Sequence, residues 1–120
     1  MLFRSATDEE RLGAEAARIL AVTPYEQLAI SDVTLQETGL LLEVGKISFT
    51  GSPAHVLGRL LDHVQVLPIS LAVALAAPTL RLPHGDQFDR IIAATARAHG
   101  LTLITKDANI TDAGVVPTVW

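Results

Sequence analysis

Asp86 and Asp89 open an Ala-rich helical pattern, and Asp107 ends the apolar run LTLIT that follows it. All three lie within residues 84–110, HGDQFDRIIAATARAHGLTLITKDANI. A helix that runs through Gly100 into a strand lies beside that strand, so these acids arrive at neighbouring ends of two adjacent elements. Oxygen ligands converging from separate elements are how proteins hold hard divalent cations. Glu37 is a further candidate. Leu40, Leu41 and Val44 follow it at i+3, i+4 and i+7, so it heads the apolar face of an earlier helix. Glu43 lies off that face and reads as a solvated acid.

Each acid also has a plainer reading. Thr34 and Glu37 fit a capping box, and structural acids outnumber catalytic ones, so Glu37 alone reads first as a cap. Asp86 fits an N-cap with Asp89 as the acid three residues on, both favoured by the helix dipole. The cap is preferred for Asp86, whereas both readings stand for Asp89. Asp107 fits a turn before Ala108-Asn109. Within the helix, Phe88, Ile91, Ile92 and Thr95 form one stripe; Asp89, Ala93, Ala96 and Gly100 form another, lined by small residues. Lys106, Arg81, Arg90 and Arg97 are either phosphate contacts or solvated charges. No two histidines have zinc-ligand spacing with a third partner, so none is assigned to a metal. Walker, GxGxxG and GxSxG motifs are absent, which leaves nucleotide-cofactor and serine-hydrolase functions without support.

These side chains need a scaffold that turns strands into helices along one edge. Thr7 and Glu10 read as a capping box for a helix with the stripe Leu12, Ala16, Ile19 and Leu20, ended by Pro24. Strands are expected at 28–31, 64–69, 101–105 and 115–120. Helices are expected at 34–44 with Gly45 as the stop, at 53–63 behind Ser52-Pro53, and at 87–99; a short one between them is capped by Ser70 and ended by Pro78. Alternating strands and helices imply an α/β fold with a mainly parallel sheet, in a single domain over residues 1–120. Ligands in such sheets gather at the carboxyl ends of the strands.

Composition narrows the partners. A chain of 120 residues buries a core without covalent staples, and 49% hydrophobic with 4% aromatic residues makes that core aliphatic. The lack of cysteine excludes disulfides, thiolate metal sites and cysteine nucleophiles, and fits a reducing cytosol. A net charge of -4 argues against a broadly basic nucleic-acid surface, though not against an enzyme that grips phosphates through metal ions and a few arginines. No apolar run reaches membrane-spanning length, and MLFRSATDEERLG turns acidic too soon for a signal peptide. A cytoplasmic domain without membrane contact is therefore expected.

The segments GDQFDRIIAATARAHGLTLITKD and LAISDVTLQETGLLLEVGKI resemble the signature stretches of PIN-domain proteins, particularly the VapC-like toxins of bacterial toxin–antitoxin pairs. The resemblance runs from about Thr7 onward. It implies a three-layer α/β/α sandwich and a ribonuclease that depends on Mg2+ or Mn2+. Matched by motif, Glu37 stands for the family's helix acid, Asp89 for the acid before the I-A-A-T-A run, and Asp107 for the group after the penultimate strand. These three would be catalytic and metal-binding, with Asp86 as a nearby extra ligand. The chemistry would be metal-assisted phosphodiester hydrolysis. The implied partners are an RNA substrate, a cognate antitoxin and a second copy of the chain in a homodimer.

The family opens with a strand ending in Asp, whereas MLFRSATDEERLG resembles the helix that follows it. A chain short at its N-terminus is therefore expected, with the family's central first strand and its metal-binding Asp missing. Asp8 lies past the helix entry and cannot stand in by position. That loss carries an alternative function: a catalytically impaired PIN-like module that only binds an antitoxin or another partner. In a third reading every acid is merely a cap or turn residue.

Overall fold

Leu2–Phe3 forms β1 at the centre of the sheet, between β2 (Ala29–Ser31) and β4 (Leu103–Ile104). The computed structural model describes residues 1–3, 13–45, 51–82 and 86–120. Leu2 pairs with Ala29 on one side and Leu103 on the other, and Phe3 pairs with Ile30 and Ile104. Two outer strands, β3 (Gln65–Leu67) and β5 (Thr118–Val119), complete the order β3-β2-β1-β4-β5, with every pairing parallel.

The expectation of a missing central strand is thus corrected. A sheet open at its middle would leave two facing rows of backbone groups unpaired. Here the Leu2 N–H donates to the Thr102 carbonyl at 3.0 Å, and the Met1 carbonyl accepts from the Ala29 N–H at 2.9 Å. The Leu2 side chain is fully buried. Two strand residues that run at once into charged ones fall below the window in which alternation is readable. The expected loss of the first metal-binding Asp, and the Thr7–Glu10 capping box, concern residues outside those described.

The helices are α1 (Ala14–Val22), α2 (Asp32–Glu43), α3 (Pro53–Leu61), α4 (Leu71–Ala76), α5 (Gln87–Ala98) and α6 (Ala108–Ala113). Connections move toward β3 in the first half of the chain and toward β5 in the second. Right-handed crossovers in opposite directions put helices on both faces, giving the three-layer α/β/α sandwich. Local signals end these elements as expected. Ser52 and Ser70 accept from the His55 and Val73 N–H groups and cap α3 and α4. Gly100, at φ +64°, closes α5. Its N–H donates to Arg97 O at 3.2 Å and that of Leu101 to Ala96 O at 2.8 Å, which is a Schellman motif. That turn aims the chain directly into β4.

The core joins Leu2, Ala29 and Leu103 of the sheet to Val33 of α2, Val73 of α4, Ile92, Ala93 and Ala96 of α5, and Ile110 of α6. Phe88, expected on the apolar stripe, is 42% exposed, while the stripe of Asp89, Ala93 and Ala96 faces inward. Small side chains there let α5 approach its neighbours closely, α4 and α2 among them. Because Leu2 joins both halves of the sheet, Leu2→Ala is expected to cost about 2–5 kcal/mol in urea unfolding, as for a buried leucine in a packed core. A sheet not held together by this strand would lose far less.

Candidate active site

With all strands parallel, the carboxyl ends of β2, β1, β4 and β5 share one edge. The chain proceeds to opposite sides of β1, so the crevice expected to receive ligands lies at that edge beside β1 and β4. The candidate acids approach this edge on three elements: Glu37 on α2, Asp86 and Asp89 at the start of α5, and Asp107 after β4.

Glu37 is carried by α2, which begins two residues earlier than the sequence implied. The cap is Ser31, whose hydroxyl accepts the Val33 N–H at 3.3 Å. Thr34 lies inside the first turn and is buried, so the Thr34–Glu37 capping box is not formed. Glu37 sits about 9 Å along the helix from Ser31, at about 1.5 Å per residue, and is partly buried. Its capping explanation is gone.

Asp86 and Asp89 do form a capping box at α5. Asp86 Oδ1 accepts the Asp89 N–H at 2.8 Å, and Asp89 Oδ2 accepts the Asp86 N–H at a long 3.4 Å. The two acids otherwise differ. Asp86 is exposed, whereas Asp89 is only 5% exposed, a rare environment for an aspartate. Arg90 is engaged nearby, donating from Nη2 to the Leu82 carbonyl at 3.3 Å. This ties α5 to Leu82.

Asp107 is neither a turn residue nor a strand residue. It caps α6, a helix the sequence reading missed, with Oδ1 accepting the Asn109 N–H at 2.9 Å. Its own N–H donates to the buried Thr105 Oγ1 at 3.0 Å, which fixes the carboxylate just past β4. Lys106 beside it is exposed.

A further acid was missed. Asp32, the first residue of α2, accepts the Ile69 N–H on Oδ2 at 2.9 Å, tying the end of β2 to the segment after β3. Its Oδ1 is buried without a hydrogen-bond partner. An acid directly after a strand-ending serine was the available signal.

The topology brings Glu37, Asp89 and Asp107 toward one edge, and α2 and α5 pack directly against each other. Their all-oxygen donor set suits a hard cation. Among the described residues, however, no three acids or histidines stand close enough to share one ion. His55 lies in α3, His63 just after α3 and His99 just after α5, and His84 is outside the described residues. A cleft of about 370 Å³ between Met1, Glu26, Gln65, His99 and Leu101 opens at the amino ends of the strands, opposite the acids.

Residues 2–116 match the family model described as PIN domain, a match that begins inside β1. Ribonuclease VapC22 of Mycobacterium tuberculosis is 31% identical over 106 residues, covering 88% of this chain and 80% of that protein. A toxin–antitoxin complex from Klebsiella pneumoniae contains a chain with the same fold, at TM-score 0.73 and 25% identity, covering 100% of this chain and 97% of that one. A chain of FitAcB from Neisseria gonorrhoeae superposes at TM-score 0.72 with 22% identity, again over 100% and 97% of the two chains.

The capping geometry separates Asp86 from its neighbour. Asp86→Asn keeps an acceptor for the Asp89 N–H and is expected to change stability by less than about 0.5 kcal/mol, while Asp86→Ala costs about 1 kcal/mol. Urea unfolding of both variants checks this. Equal losses in the two would mean that the carboxylate charge, not the cap, is what Asp86 contributes.

Proposed function

Because the chain belongs to the PIN-domain family and is VapC-like, we propose that it is a divalent-metal-dependent endoribonuclease, the toxin of a toxin–antitoxin pair. The observation that carries this reading is Asp89. A carboxylate this buried, held at the start of α5 where the carboxyl edge opens, exceeds what a helix cap needs. Glu37, left without a capping role on a helix packed against α5, supports it.

Glu37, Asp89 and Asp107 would hold Mg2+ or Mn2+, with Asp86 as an outer carboxylate. The ion would supply Lewis acidity and an activated water for phosphodiester hydrolysis. The chain's own contribution is positioning. The Asp86 cap orients the Asp89 backbone, and the Thr105 hydroxyl orients that of Asp107. Both carboxylates are thereby held with little freedom to lose on binding. A cognate antitoxin and a second copy of the chain are the proposed protein partners, and the cytoplasm the proposed location. No described helix is long and apolar enough to cross a membrane.

One observation favours a second reading. The described residues contain no ready group of three ligands, as a module that only binds its antitoxin would not need one. Incubation of the purified chain with single-stranded RNA and Mg2+ or Mn2+ separates the two. Cleavage abolished by EDTA, and lowered at least about a hundredfold in kcat/KM by Asp89→Asn, is expected; that exceeds the usual cost of losing an outer-shell partner. RNA left intact with either metal would favour the binding module, and full activity in Asp89→Asn would remove Asp89 from the site.

A further inference from the structure

Beside Asp107 the carboxyl edge carries a pairing of a different kind. Lys106 Nζ lies 6.0 Å from the centroid of the Trp120 ring, at the outer reach of a cation–π contact. The placement follows from the sheet. Thr105 donates its N–H to Val119 O at 3.0 Å, so the residues that follow β4 and β5 leave the sheet side by side. Trp120 is the chain's one tryptophan and remains partly exposed.

The start of α1 packs closely against the same residue. A Cβ added at Gly13 would stand 2.5 Å from the Trp120 carbonyl carbon and 2.8 Å from its Cδ1, so only glycine admits this contact at the start of α1. A large aromatic fixed by backbone, partly open to solvent and next to a cation, is what unpaired nucleic acid binds: bases stack on the ring while the cation meets the phosphates. A chain of net charge -4 offers a polyanion little bulk attraction, so on the ribonuclease reading its grip on RNA has to come from local contacts such as this pair.

We propose that Trp120 and Lys106 form a subsite for an unpaired nucleotide of the RNA strand, the base stacking on the indole and the neighbouring phosphate meeting the ammonium. This rests on the ribonuclease reading and adds to it a substrate contact outside the carboxylates.

With one tryptophan, indole emission reports the subsite without any substitution. Short 5′-labelled single-stranded RNA is titrated into the chain with Ca2+ replacing Mg2+ to hold back hydrolysis, and label anisotropy and indole emission are followed together. The expected result is quenching by about half or more with the same Kd by both signals. Trp120→Leu should bind about tenfold more weakly and Trp120→Phe within about threefold of the parent. In the Mg2+ cleavage assay Trp120→Leu should raise KM and leave kcat nearly unchanged. RNA that binds or is cut with unchanged emission, and with an unchanged KM in Trp120→Leu, would overturn the subsite and leave the nuclease standing. An unmodified chain that neither binds nor cuts RNA would remove both.

Discussion

The backbone pairing of Leu2 and Phe3 with strands on either side is the constraint on which the rest of the structure depends. Each half of the sheet is a pair of strands two or three residues long, far below what is stable alone in water. Joined through β1 they become one sheet with a single buried layer, and helices can then cover both faces. The direction of β1 sets the direction of every other strand. It therefore decides that the ends of β2 and β4, and the helix starts that follow or precede them, share one edge.

That edge has an economy of roles. A helix start needs acceptors for its free N–H groups, and Ser31, Asp86 and Asp107 supply them. The same need places acids where a cation would bind. Capping and metal binding are therefore not alternatives for Asp107: its carboxylate uses one oxygen on Asn109 N–H, and a carboxylate accepts several partners. Burial does more than capping to set the acids apart. Asp89 lies beneath the surface while Asp86, its partner in the same box, stays in water.

Most of the architecture was legible in the sequence because it is written in local signals. Pro24, Gly45, Gly100 and the Ser52 and Ser70 caps each act within a few residues, and the α/β alternation follows from them. Two elements were not legible. β1 is too short to show a period, and α6 is a six-residue helix whose cap, Asp107, looks like an ordinary turn residue. The candidate site was visible in the sequence only as a set of acids, whose proposed roles come from the family resemblance. The structure removed the competing cap for Glu37, because α2 starts at Asp32, a shift of half a turn that propensity does not resolve. It retained the cap for Asp89 and added burial, which no local pattern encodes. Asp32 escaped notice because its partner, Ile69, is 37 residues away.

Central to the proposed function is a single cation held at one edge by carboxylates from α2, α5 and the end of β4. Paramagnetic broadening by Mn2+ tests it directly, read amide by amide in the NMR spectrum of the labelled chain at substoichiometric metal. The amides of Glu37, Asp89 and Asp107 and their neighbours are expected to broaden together at the same low metal fraction, with Mg2+ reversing the effect. Broadening confined to one of these elements, or centred on solvated acids such as Glu15 and Glu43, would contradict it.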